Sequence, residues 1–149
     1  MRSLGVCLDP VLFFEQQISS LCHICSLELR RISEIRHYLS EDVTKKLLCA
    51  FVFSRLDYCN SLLVGRPKYL LSKLQKVQNN AARLIFRTTR SAHITQIPHS
   101  LHWLPTERRI QYKLSLLCFN IISHQAHIYL SELLHLYTPF WQLCSSTVT

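Results

Sequence analysis

Residues 67–90 read PKYLLSKLQKVQNNAARLIFRTTR, and this stretch decides the fold. Pro67 stands where a first-turn proline belongs. Its fixed φ suits a helix start, and the N–H it lacks is one that a helix leaves unbonded there in any case. From it Leu70, Leu74, Val77, Ala81 and Leu84 recur at spacings of four and three, the period of one helix face. The pattern predicts a helix from Pro67 to about Arg90. A second series, Lys73, Lys76, Arg83, Arg87 and Arg90, with Asn80 filling its one gap, forms a stripe about 120° from the apolar one. Such a helix buries one face and presents a row of cations on another.

The neighbouring segments follow the same period. Gly65 ends a preceding helix that starts at Ser40, an N-cap residue, with Glu41 and Asp42 in the first turn where the helix dipole favours acids. That helix is predicted to reach about Leu63, with Val43, Leu47, Ala50, Phe51 and Leu62 as its apolar positions. Before it, Ile18, Leu21, Ile24 or Cys25, Leu29, Ile32 and Ile35 predict a helix over roughly Phe13 to Tyr38. Thr88 to Ser100, mostly polar and containing Pro98, reads as a connector. Pro105 opens a helix carrying Ile110, Leu114, Leu117, Cys118 and Ile121, and a shorter helix from about Ile128 to Tyr137 is stopped by Pro139. Arg2 to Leu8, a short apolar run around Gly5, reads as one strand, either unpaired or belonging to a sheet not evident downstream. The class is therefore all-α, a bundle of four to five helices with one short N-terminal strand. Residues 140–149 read as a frayed tail.

Composition supports this reading. Nearly half of the 149 residues are apolar, which excludes a chain disordered by composition, and two glycines with five prolines are too few for a loop-rich β fold. The longest apolar run, Leu47 to Phe53, has seven residues, far short of the ~20 that span a bilayer. No signal peptide is evident at the start. Seven cysteines, an odd number, read as reduced thiols, so a cytoplasmic or nuclear, not secreted, location is expected.

The net charge of +8 is unevenly placed. Between Tyr58 and Leu104 there is no Asp or Glu, but there are Arg66, Lys68, Lys73, Lys76, Arg83, Arg87 and Arg90. The rest of the chain nearly balances, with ten basic and nine acidic residues. A concentrated basic block points to a polyanionic partner, nucleic acid or an anionic membrane surface. The apolar stripe has the width of a protein core, which favours nucleic acid. Each Lys or Arg that meets a phosphate releases condensed counterions, and Arg adds bidentate contacts. Gln75, Gln78, Asn79 and Asn80 are further donors along the helix. The competing reading is a solvated basic face, although such faces usually mix signs.

Other motifs carry less. Cys22 and Cys25 form a CxxC, but a structural zinc needs four ligands and no second CxxC or HxxxH follows, so buried thiols are the default. His93, His99 and His102 match no usual metal spacing. No glycine-rich phosphate loop exists, since the only glycines are Gly5 and Gly65. The acids are too scattered to predict a two-metal polymerase centre. No cofactor, metal or catalytic residue is assigned. Tyr69, Phe86 and Trp103 lie near the basic stretch, where core packing is the default and base stacking the alternative.

Ser54 to Leu63 read Ser-Arg-Leu-Asp-Tyr-Cys-Asn-Ser-Leu-Leu. Then come Lys73 to Asn79, Ala81 to Leu84, His93 to Thr95, Ser100 to Pro105, Tyr129 to Leu134 and Tyr137 to Pro139. In this order the blocks resemble the post-palm, thumb-like region of LINE-type (non-LTR) retrotransposon reverse transcriptases of the jockey and chicken-repeat kind. Arg2 to Val6 resemble the Leu-Gly-Val strand that closes the palm of these RNA-directed DNA polymerases. The chain departs from the pattern at His124 to Ile128, where the family has a turn with Gly and Pro, and after Pro139, where Phe140 to Cys144 replace a basic, serine-rich tail.

The resemblance implies that residues 1–12 are the remnant of a palm strand whose sheet is missing, and that 13–139 are a helical thumb-like domain. It implies that the catalytic aspartates and endonuclease lie elsewhere, so the chain is expected not to be an enzyme. Its implied partners are the RNA/DNA backbone of a template–primer, held without base specificity, and the missing palm domain. The alternative is a non-functional or domesticated helical remnant acting, if at all, as a protein-interaction module.

Overall fold

The computed structural model describes residues 2–88, 101–123, 125 and 128–132, and the chain divides into two units, 1–113 and 114–149. The first unit contains the core. It opens with a hairpin of two-residue arms, β1 (Arg2–Ser3) and β2 (Val6–Cys7), paired antiparallel. Leu4 and Gly5 form the turn, both at positive φ (47° and 81°). That pair of values matches the two-residue hairpin turn whose twist suits the flanking strands. The extended segment is thus where the sequence places it, but it finds its partner within itself.

Helix α1 (Glu15–Ile35) continues into a 3₁₀ turn, Arg36–Tyr38. The segment leading into it is held by Asp9, whose carboxylate accepts from the backbone N–H groups of Phe13 and Phe14 at 3.1 Å, while the N-cap position itself, left-handed Phe14, has no side-chain cap. Ile18, Cys25, Leu29 and Ile32 are buried, so Cys25 and not Ile24 takes the core position, and Ile35 is exposed.

Helix α2 (Glu41–Leu48) begins at the predicted Ser40, whose hydroxyl accepts from Val43 N–H at 3.3 Å. It passes through a π-helical turn, Cys49–Phe53, into α3 (Ser54–Asp57). The predicted helix to Leu63 breaks at extended Tyr58 and left-handed Cys59 (φ 54°), and a 3₁₀ turn, Asn60–Leu63, completes the segment. The predicted apolar face is also corrected. Val43, Phe51 and Leu62 are exposed, and the buried row is Thr44, Leu48, Val52 and Leu56. Thr44 enters the core because its hydroxyl donates to the Ser40 carbonyl at 2.8 Å, and the π turn adds a residue that shifts the following face.

Helix α4 (Lys68–Phe86) follows Pro67, with Leu70, Leu74, Val77, Gln78, Ala81, Ala82 and Ile85 buried. It stops short of Arg90 because Arg87 is left-handed (φ 51°) and Thr88 N–H turns back to the Arg83 carbonyl at 3.2 Å. This is the six-residue closure of a helix C-terminus, with arginine where glycine is usual.

Two contacts fix the direction of α1 against α4. Glu15, at the start of α1, pairs with Lys73 near the start of α4 at 3.4 Å. Arg36, just past the end of α1, donates to the carbonyls of Leu84 (2.9 Å) and Ile85 (2.7 Å) at the end of α4. The two helices therefore run parallel, with α2 and α3 as the return between them. Arg36 is 8% exposed and completes its fork on the Leu39 carbonyl at 2.7 Å. It satisfies helix-end carbonyls that have no partner in α4 itself.

Helix α5 (Thr106–Ile122) starts as predicted just after Pro105. Its first turns belong to the first unit. Ile110 joins the core, Trp103 meets Phe53 edge-on at 4.4 Å, and Arg109 pairs with Asp57. In the second unit Leu114 and Leu117 are exposed rather than buried, and the described part of α6 is Ile128–Ser131. The tail, with Tyr137 and Pro139, lies outside the described residues.

Removing the Arg36 fork leaves helix-end carbonyls unbonded in a buried place. Arg36→Met is expected to lower stability by about 2–4 kcal/mol in urea unfolding followed by circular dichroism. Arg36→Lys should recover only part of it, since a compact ammonium does not reproduce the planar fork that reaches Leu84, Ile85 and Leu39 together. A loss below about 1 kcal/mol in Arg36→Met would mean that α4 ends without this cap.

Candidate nucleic-acid interface

The basic positions predicted from the sequence separate into three groups. Lys68 and Lys76 are exposed on α4 and make no ion pair among the described residues. Lys73 and Arg66 are engaged inside the chain. Lys73 pairs with Glu15 and lies 6.0 Å over the Tyr69 ring. Arg66 donates to the Leu12 carbonyl at 2.8 Å and lies 5.9 Å over Phe13, pinning the segment before α1. Arg83 and Arg87 turn toward α1. Arg90 lies outside the described residues.

Between α1 and the C-terminal half of α4 runs an open groove of about 790 Å³. One wall, from α1 and the turn after it, carries His23, Ser26, Leu27, Arg30, Ser33, Arg36 and His37, and the other, from α4 and the residues after it, carries Asn80, Arg83, Leu84, Arg87 and Thr88. The α1 residues sit three and four apart, one face of the helix. Among the described residues no Asp or Glu lines the groove. Arg83 donates to Asn80 Oδ1 at 3.2 Å, and its Nε is buried without a hydrogen-bond partner. Arg87 donates to the Arg36 carbonyl at 3.2 Å.

Sequence reasoning found Arg83 and Arg87 and missed Arg30, His23 and His37. The signal was present as the 23, 26, 30, 33, 37 spacing beside the apolar stripe of α1. It was masked because Glu28 and Glu34 share that helix, so α1 is not acid-free. Glu28 faces elsewhere, pairing with Arg31 at 3.2 Å. The glutamines of α4 are corrected in the other direction. Gln78 is buried and donates to the Leu104 carbonyl at 2.8 Å, and Gln75 accepts from Thr106 N–H at 2.9 Å. Both dock the start of α5 and are not free donors. Phe86 is exposed at the end of α4, Tyr69 lies under Lys73, and Trp103 packs on Phe53.

The remaining motifs stay apart from this groove. His93 and His99 lie outside the described residues, and His102 is exposed in a left-handed conformation. Among the described residues no group of three or more His, Cys, Asp or Glu is placed to hold a metal ion. No helix there is long and apolar enough to cross a membrane. No family model, curated protein or solved structure matches the chain.

Burial pushes the Cys25 thiol up to about 11 and raises Cys22 as well, against the lowering effect of Lys73 on the latter. Only the thiolate reacts. At pH 8, below both raised values, iodoacetamide is therefore expected to modify exposed Cys49 and leave Cys25 intact until the chain unfolds, as read by peptide mass spectrometry. Prompt modification of Cys25 in the folded chain would contradict its place in the core.

Proposed function

We propose that this chain is the helical, thumb-like region of a LINE-type reverse transcriptase and that it grips the phosphate backbone of a template–primer duplex without reading its bases. The observation that carries the reading is the acid-free cationic surface of α4, from Lys68 and Lys76 to Arg83 and Arg87 where α4 meets α1. Rows of cations held on a rigid helix suit a regularly charged polymer, and phosphate contacts position a protein without carrying sequence information. The ordered blocks from Ser54 to Pro105 support the family origin. A cytoplasmic or nuclear location accompanies it.

The reading gives the chain no catalytic role of its own. Four of its acids are engaged within the chain: Asp57 meets Arg109, Glu15 meets Lys73, Glu41 meets Lys45, and Asp9 holds the segment before α1. In the parent polymerase the palm would adjoin the N-terminal end, where Leu4, Val11 and Leu12 are exposed. The alternative, a protein-interaction module, draws on Leu114, Leu117, Phe119 and Ile122, all exposed along the second unit's part of α5.

Titration of a fluorescent RNA–DNA duplex separates the two. With about four cations engaged, the logarithm of affinity should fall against the logarithm of salt concentration with a slope of about −3 to −4. Lys68→Glu with Lys76→Glu, both at exposed sites, should weaken binding at least about tenfold and flatten the slope by about 2 while helicity is kept. A double variant that binds as tightly as the parent would remove α4 from the interface.

A further inference from the structure

Four arginines, Arg30, Arg36, Arg83 and Arg87, line the α1–α4 groove. Capping accounts for part of this, because cations near helix C-termini offset the partial negative charge of carbonyls there. Arg36 serves Leu84 and Ile85, and Arg87 serves the carbonyl of Arg36. Arg30 and Arg83 do neither. Among the described residues Arg30 has no hydrogen bond or ion pair, and the Arg83 side chain bonds only Asn80.

Three buried side-chain polar atoms lack a hydrogen-bond partner among the described residues, and two of them, Arg83 Nε and Thr88 Oγ1, belong to the same wall of this groove. Native structures rarely leave such groups unbonded, and a bound ion is one of the usual reasons when they do.

The geometry points to a phosphomonoester as the group this groove takes, the 5′-terminal phosphate of a nucleic-acid strand. The inference rests on the nucleic-acid reading above, since it takes the ligand to be a strand end. A backbone diester carries one charge and suits cations strung along a helix. A phosphomonoester carries about 1.5 to 2 charges near neutral pH and three strong acceptor oxygens. Guanidinium forks offered from both walls of one groove suit such a group, each able to give charge-assisted, bidentate bonds. Rotation of the Arg83 side chain onto the phosphate gives its Nε the partner it lacks, and the Thr88 hydroxyl adds a neutral donor. The volume also leaves room for the terminal nucleotide, since small-molecule sites commonly measure about 300–1,000 Å³.

Titrations of the full chain with one RNA–DNA duplex, bearing either 5′-phosphate or 5′-hydroxyl ends, test this. The phosphorylated duplex is expected to bind about tenfold tighter. Arg30→Gln, at an exposed site, should bring the difference below about twofold with helicity intact. Arg31→Gln, a neighbouring change of equal charge outside the groove, should preserve it. Equal affinity for the two duplexes overturns the pocket and leaves the backbone reading standing. A difference that survives Arg30→Gln, or that Arg31→Gln abolishes equally, also overturns it. Failure of both duplexes to bind overturns both readings.

Discussion

The guanidinium of Arg36 is buried where two parallel helices end, and it faces three carbonyl oxygens and no carboxylate. A buried charge is costly unless its hydrogen bonds are met. Here the planar fork meets carbonyls from the end of α4 and from the turn after α1. Those carbonyls would otherwise lack partners, so each side satisfies the other. The contact also sets how far α1 runs along α4. With Glu15 and Lys73 at the opposite end, it holds two helices of 21 and 19 residues in one parallel register. Every residue of the groove takes its place from that register.

The same constraint sorts the cations. A net charge of +8 would suggest a uniformly attractive surface, but several arginines belong to the architecture. Arg36 caps α4, Arg66 pins the segment before α1, and Arg109 fastens the start of α5 to Asp57. Lys68, Lys76 and Arg30 are left with no partner among the described residues, and Arg83 keeps an unbonded donor. Charge that folding does not consume is what an anion can use. Its concentration along α4 and across the groove gives the surface its direction.

How much of this was legible depended on whether one residue announced one role. Ser40 did, because a cap needs only its own hydroxyl and the next turn. The α4 stripe did, because its apolar residues keep the helical period and Gly65 and Pro67 bracket its start. The α2 face did not. Thr44 is polar yet buried, and the π turn at Cys49–Phe53 moves the next residues round the axis, so a simple period chose Val43 and Phe51 wrongly. Gln78 reads as a surface donor until Leu104 and Thr106 fold over it. The end of α4 at Phe86 was hidden because a left-handed arginine, not a glycine, closes it. Arg30 belonged to no visible stripe until α1 and α4 lay side by side. Long-range pairing decided these cases, and periodicity carries no information about it.

The proposed grip depends on α1 and α4 forming a rigid parallel pair, with nucleic acid bound along α4 and at the groove it makes with α1. Amide hydrogen exchange of the full chain, free and with an RNA–DNA duplex, addresses both halves of it at once. Slow exchange is predicted through α1 and α4 in the free chain, with further slowing on binding at His23–His37 and Lys68–Thr88 and no change at Glu41–Asp57. Fast exchange throughout α1 and α4, or slowing confined to α5, would contradict it.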